Sequence, residues 1–205
     1  MKQLDFYKVL GEKKSNRAFI FFHGWKGNKD SFISLPKIMD VSNIDWYFPE
    51  APYLIEGKDK KSWAFESSPG IYEIDETEKL LDLFIQEHIA PKYNLGNVYI
   101  MGFSQGAAVC YELFLNKNYN WAAIFPVGGF LRNLDRNIEL NKNQITTPIV
   151  IGHGMKDEII PIARSKKIYN LLLDKGANVE FIEYNGSHKI SMDYLKQIKI
   201  LLNEK

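Results

Sequence analysis

The stretch Asn97-Val98-Tyr99-Ile100-Met101-Gly102-Phe103-Ser104-Gln105-Gly106-Ala107-Ala108-Val109-Cys110 decides how the rest of the chain is read. Its first five residues form an apolar, β-rich run, and a helix-forming run extends from Ala107 to Leu115. Between them lies Gly-x-Ser-x-Gly. In a strand-turn-helix context this pattern puts a serine on a sharp, strained turn, with its hydroxyl raised above the sheet edge. Glycines two residues to either side remove the Cβ atoms that would clash where strand and helix close on each other. Ala107 and Ala108 extend the small-residue packing. The alternative is a chance match of the pattern, which the flanking strand and helix argue against.

A serine nucleophile needs an acid and a base, which follow this elbow in that order. Downstream, Pro148-Ile149-Val150-Ile151-Gly152-His153-Gly154 reads as a strand, and Met155-Lys156-Asp157 follows it. A carboxylate just past a strand end lies at the sheet edge that also carries the elbow. Glu158 is the competing acid, and Asp157 could instead cap a helix. Asn178 to Tyr184 alternates like a strand and ends in Asn185-Gly186-Ser187-His188. Of the four histidines, His88 falls in a polar helix and His153 at a strand end, and His23 belongs to another motif. His188 is therefore the expected base, Asp157 the expected acid and Ser104 the expected nucleophile.

His23 lies in Ala18-Phe19-Ile20-Phe21-Phe22-His23-Gly24-Trp25-Lys26-Gly27, a buried strand followed by His-Gly. A loop in this place supplies one backbone N–H of an oxyanion hole, and the residue after the nucleophile supplies the other. Those donors are expected at Trp25 and Gln105. His23 reads as a structural residue that holds the loop through its ring nitrogens.

With these pieces together, the chain resembles the α/β-hydrolase superfamily, and within it the phospholipase/carboxylesterase family that includes the acyl-protein thioesterases. The resemblance rests on Phe22-His23-Gly24, Pro49-Glu50-Ala51-Pro52, Ser62-Trp63-Ala64-Phe65, Gly102 to Ala107, Gly128-Gly129-Phe130-Leu131, His153 to Asp157 and Gly186-Ser187-His188. Two stretches depart from the family pattern. Trp25-Lys26-Gly27 stands where Leu-Gly-Asp is common, and Ala64 separates a Trp and a Phe that are usually contiguous. The resemblance implies carboxylester or thioester hydrolysis through an acyl-enzyme, with no cofactor and no metal. The two departures lie where the substrate would sit, so acyl-chain preference is not carried over; short to medium acyl chains are expected instead from apolar burial against aromatic and aliphatic walls around the serine. The alternatives are amide or peptide hydrolysis by the same triad, and a non-catalytic binding protein on the same fold. Trp63, Phe65, Phe130 and Leu131 are expected to line the substrate site, although Trp63 and Phe65 could simply anchor their loop to the core.

Composition is consistent with this. The 205 residues suit one domain, 1–205, with a sizeable core and no large lid domain. Hydrophobic residues make up 45% and charged residues 25%, as in ordinary globular proteins. A net charge of +1 gives no electrostatic reason to expect nucleic acid or an anionic membrane as partner. The single cysteine, Cys110, excludes an internal disulfide and fits a reducing, cytoplasmic location; it reads as a small buried hydrophobe. The N-terminus lacks a signal-peptide pattern, and no apolar run reaches membrane-spanning length. The expected partner is a small ester or thioester, with no stable membrane insertion and a monomer or homodimer in solution.

Strands are expected near 4–10, 17–22, 44–49, 96–101, 121–127, 148–152 and 178–184, and helices near 31–40, 75–90, 104–116, 162–175 and 190–203. Buried strands alternating with amphipathic helices predict an α/β fold: a mostly parallel central sheet with helices on both faces. The N-terminal segment is expected to form an antiparallel edge hairpin. Residues 54–72 read as an irregular crossover loop over the active-site edge, with the Lys58 to Lys61 run solvated.

Overall fold

The structure, a computed structural model, describes residues 2–55, 59–132 and 138–203. Lys58 and the start of the expected lysine run lie outside these residues. Seven strands form the central sheet: β1 (Phe6–Val9), β2 (Ala18–Phe22), β3 (Asp45–Pro49), β4 (Val98–Phe103), β5 (Ala123–Val127), β6 (Ile149–Gly154) and β7 (Val179–Tyr184). Their order across the sheet is β1-β3-β2-β4-β5-β6-β7. Every neighbouring pair is parallel except β1 with β3. The N-terminal strand is thus an antiparallel edge strand but not part of a hairpin. It pairs with β3, two strands later in the chain, with Phe6 opposite Pro49 and Val9 opposite Trp46.

The helices are α1 (Leu35–Met39), α2 (Asp75–Phe84), α3 (Gln105–Val109), α4 (Ile162–Asp174) and α5 (Met192–Asn203). α2 and α3 each widen into a π turn, over Ile85–Ile89 and Cys110–Phe114. The first helix is shorter than the sequence predicts, with turns occupying residues 31–34.

Alternation along the strands separates two cores. Ile20, Phe22, Ile100 and Ile151 pack with Leu81, Phe84, Val109, Ile168 and Leu172 of α2, α3 and α4. Phe19, Phe21, Tyr99 and Phe125 pack on the other face with Leu35 and Met39 of α1 and Tyr194 and Ile198 of α5. A sheet covered on both faces explains why β2 and β4 read as near-continuous apolar runs.

The loop expected over residues 54–72 is more regular than its sequence suggests. Tyr53–Leu54 pairs with Lys61–Ser62, and Phe65–Ser68 pairs with Ile71–Glu73 in an exposed antiparallel ribbon turning at Gly70. The ribbon's polar, irregular sequence hides it, because it buries no face and so carries no period-2 signal.

Two contacts place the serine-bearing turn. A Cβ on Gly102 would lie 2.1 Å from the Gly106 carbonyl oxygen, and one on Gly106 would lie 2.1 Å from the Phe22 carbonyl oxygen. The elbow therefore seats directly on the end of β2. Next to it, the buried His23 ring bridges two backbones. Its Nε2 accepts the Ala51 N–H at 3.1 Å, so its Nδ1 carries the proton and donates to the Gly24 carbonyl at 2.8 Å. Burial, with Lys61 nearby, lowers the His23 pKa to about 4 against the opposing Gly24 bond.

Two outcomes follow for stability. Gly106→Ala forces a methyl into backbone and is expected to cost about 3 kcal/mol or more, whereas Gly70→Ala, at φ +79° with open space around it, costs about 1–2 kcal/mol; urea midpoints compare the two. His23 titrates near 6.5 when unfolded and near 4 when folded, so between these values only the unfolded chain holds the proton. The stability linked to it is complete above 6.5 and is lost as pH falls to about 4, by about 3 kcal/mol. Denaturation of wild type and His23→Gln from pH 7 to pH 4 is expected to show the mutant losing less stability over that range.

Candidate active site

Ser104 sits between β4 and α3 with φ 54° and ψ −113°, a region that side chains avoid. Its backbone N–H donates to Val127 at the end of β5, at 2.8 Å, and its carbonyl accepts from Ala107 at 3.0 Å. The turn is thus held from the neighbouring strand and from the helix it opens. His188 follows β7, and its Nε2 lies 2.9 Å from Ser104 Oγ. Its Nδ1 lies 2.7 Å from Asp157 Oδ2. The other carboxylate oxygen, Oδ1, accepts the N–H groups of Ile159 and Ile160, each at 2.9 Å. Ser104, His188 and Asp157, from three separate strand ends, thus form one hydrogen-bonded line. Glu158, the alternative acid, is exposed.

The electrostatics suit that line. Burial on its own would raise the Asp157 pKa, but the Ile160 N–H, His188 and the Ile159 N–H outweigh it and hold the carboxyl below the ordinary value. Asp157 is thus ionised at neutral pH, and its side chain is only 1% exposed. The acid and base loops are stitched together: Met155 N–H donates to the Tyr184 carbonyl at 2.9 Å, and Lys156 N–H to the Gly186 carbonyl at 2.9 Å. The Phe103 ring packs on the His188 imidazole at 4.8 Å between centroids.

His153 is fully buried beside the acid. Its Nε2 lies 2.8 Å from the Ile160 carbonyl and 3.3 Å from Asp157 Oδ2, and its Nδ1 lies 2.8 Å from Ser165 Oγ. Burial lowers its pKa, so the ring is neutral and its contact with Asp157 is not an ion pair. It supports the loop that presents the carboxylate.

A cavity of about 390 Å³ opens at Ser104, walled by Trp25, Tyr72, Gln105, Phe130, Arg132, Ile159, Ile160 and Arg164. Trp25 and Gln105, the expected oxyanion donors, therefore share the space next to the serine. Gln105 is the first residue of α3, so its N–H has no acceptor within the helix. The Gln105 side chain has a separate role that the sequence does not announce. Its Oε1 accepts the Trp63 N–H at 2.9 Å and its Nε2 donates to Ser62 Oγ at 2.9 Å, clasping the elbow to the mid-chain loop.

Of the four residues expected to line the substrate site, only Phe130 borders this cavity. Trp63 is wholly buried; its indole N–H donates to the His23 carbonyl at 2.8 Å and its ring meets Phe22 edge-on. It anchors the loop instead. Phe65 is half exposed on the ribbon and packs on Tyr53. Leu131 is buried beside a different cleft, with Glu112 and Ile138, and its carbonyl accepts from Arg164. Tyr72, Ile159, Arg132 and Arg164 take the vacated places. They come from separate segments, and no local pattern links them. Among the described residues no cluster of three or more His, Cys, Asp or Glu side chains is arranged to hold a metal ion, and no helix is long and apolar enough to cross a membrane.

Comparison with known proteins agrees with the fold. The chain is 30% identical over 180 residues to acyl-protein thioesterase 1 of Kluyveromyces lactis, spanning 84% of this chain and 70% of that one. It is 28% identical over 179 residues to the carboxylesterase SOBER1 of Arabidopsis thaliana, spanning 80% and 78%. The crystal structure of esterase PE8 superposes with a TM-score of 0.85 at 20% identity over 99% of both chains, and that of SOBER1 with 0.78 at 23% identity over 92% and 98%. These likenesses establish the α/β-hydrolase fold. The phospholipase/carboxylesterase family profile matches residues 8–204, and the chain belongs to that family.

Proposed function

We propose that this chain is a serine hydrolase of carboxylic esters or thioesters, acting through Ser104, His188 and Asp157. The observation that carries the reading is the unbroken hydrogen-bonded line from Asp157 through His188 to Ser104, ending at the mouth of a cavity. The thioesterase and carboxylesterase names of its relatives support the same class.

The mechanism follows from the geometry. His188 Nε2 takes the Ser104 hydroxyl proton as Oγ attacks the acyl carbonyl. Asp157 holds the imidazole with its Nδ1–H directed at the carboxylate, and stabilises the imidazolium that forms. The carbonyl oxygen gains charge and is met by the N–H groups of Trp25 and Gln105, where one such donor typically contributes about 3 kcal/mol. His188 returns its proton to the departing alkoxide or thiolate as the C–O or C–S bond breaks. Water then gives its proton to the same nitrogen, attacks the acyl-enzyme and releases the acid, restoring the Ser104 hydroxyl. A serine hydroxyl is a weak nucleophile alone, so the three residues work as a unit. We read the chain as one domain without a large lid, working in a reducing, cytoplasmic compartment on small substrates.

Ser104→Ala keeps the Cβ and the turn, so it is expected to fold with a Tm close to wild type while losing more than 99% of p-nitrophenyl ester turnover and all fluorophosphonate labelling. A folded variant with near-normal turnover overturns the reading. For the acid, Asp157→Asn is expected to lower kcat about 10³–10⁴-fold through the wrong imidazole tautomer, with Glu158→Gln within about twofold of wild type; steady-state kinetics on one soluble ester ranks them.

A further inference from the structure

The cavity at Ser104 is walled by two arginines and, among the described residues, by no carboxylate. Arg132 is answered from behind: its Nη1 and its backbone N–H both bond to Glu112. Its side chain is nevertheless only 9% exposed, and its Nε and Nη2 are buried with no hydrogen-bond partner. Arg164 has no ion pair among the described residues. One of its nitrogens, Nη2, donates to the Leu131 carbonyl at 3.0 Å, its guanidinium lies 5.1 Å from the Phe130 ring centroid, and its Nε is buried without a partner. Buried N–H donors left unpaired cost about 1–3 kcal/mol each, and more when the group is charged. These three donors are closed off from solvent, so a ligand would meet the two guanidinium groups at the edges that line the cavity, where they put positive charge that no described carboxylate on the same wall answers. The first turn of α4, between Ile160 and Arg164, adds the positive end of a helix to the same wall.

His188 does not border this cavity, whereas Ser104, Trp25 and Gln105 do. The leaving group must depart beside His188 Nε2, which protonates it. A space that reaches the nucleophile and both oxyanion donors but not the base therefore holds the acyl part of the substrate.

Resting on the serine-esterase reading, we propose that the preferred acyl group carries a carboxylate at its far end: the substrate is a half ester or half thioester of a dicarboxylic acid, held by Arg164 with Arg132 beside it. Phe130, Tyr72 and Ile159 cover the methylenes between the two ends. A guanidinium fork matches a carboxylate in two parallel hydrogen bonds, which fixes the chain's direction as well as its charge. Of the apolar wall expected from the sequence, only Phe130 belongs to this middle stretch.

The test compares mono-p-nitrophenyl adipate with p-nitrophenyl hexanoate, which differ by the terminal carboxylate, in wild type and Arg164→Gln. Wild type is expected to favour the adipate at least tenfold in kcat/KM, with the preference shrinking as NaCl is added. Arg164→Gln is expected to lower the adipate-to-hexanoate ratio at least tenfold, mainly through KM, and Arg164→Lys to recover part of it. A second arm moves the carboxylate to the leaving group: hexanoyl 4-hydroxybenzoate against hexanoyl methyl 4-hydroxybenzoate, whose ratio Arg164→Gln leaves within about twofold. A wild type that prefers hexanoate, or a ratio unmoved by Arg164→Gln, overturns the proposal; a ratio that moves only in the second arm overturns the acyl assignment. If wild type cleaves neither ester and takes no fluorophosphonate label, the serine-esterase reading itself has failed. Labelling and hexanoate turnover without adipate preference leave that reading standing and remove this one.

Discussion

Everything at the edge that carries the candidate site depends on how closely α3 approaches the end of β2. The backbone of Gly106 lies so near the Phe22 carbonyl that one methyl group would not fit. That approach fixes the helix, which fixes Ser104 in its positive-φ turn, which fixes the direction of the hydroxyl. Strained backbone of this kind persists only when surrounding contacts over-determine it. Here the restraints are the Val127 carbonyl on one side, the Ala107 N–H on the other and the two glycines beneath.

The same edge is tied laterally by side chains that do no chemistry. Gln105 reaches from the elbow to Ser62 and Trp63, Trp63 reaches to the His23 carbonyl, and His23 reaches to Ala51. These bonds join the nucleophile turn, the mid-chain loop and the loops after β2 and β3 into one frame. The proposed oxyanion donors Trp25 and Gln105 both belong to it. Their separation is thereby set by buried hydrogen bonds rather than by the exposed side chain of Trp25.

The sequence made visible those features that repeat along the chain or crowd into a few neighbouring residues. Seven strands were legible because each is a short apolar or alternating run bounded by turn residues. Ser104, Asp157 and His188 were legible as a candidate set because each follows such a run, and sheet topology brings the carboxyl ends of the six parallel strands to one edge. The pairing of β1 with β3 was not legible, since register between distant strands leaves no local mark. Trp63 was misplaced for a related reason. An aromatic residue in a loop reads the same whether it faces a substrate or an anchor, and only the burial of its ring and the acceptor for its N–H separate the two. Arg132 and Arg164 carried no signal at all, because 32 positions separate them in the chain and a shared cavity wall joins them in space.

His188 hangs from β7, the outermost strand, which pairs only with β6 and keeps most of its residues partly or fully exposed. Ser104 and Asp157 follow interior strands hydrogen-bonded on both sides. Edge elements open at lower free energy than the centre of a sheet. Warming is therefore expected to loosen His188 before Ser104 or Asp157. If the proposed triad carries the activity, turnover is expected to fall on heating before the two cores around the central strands come apart.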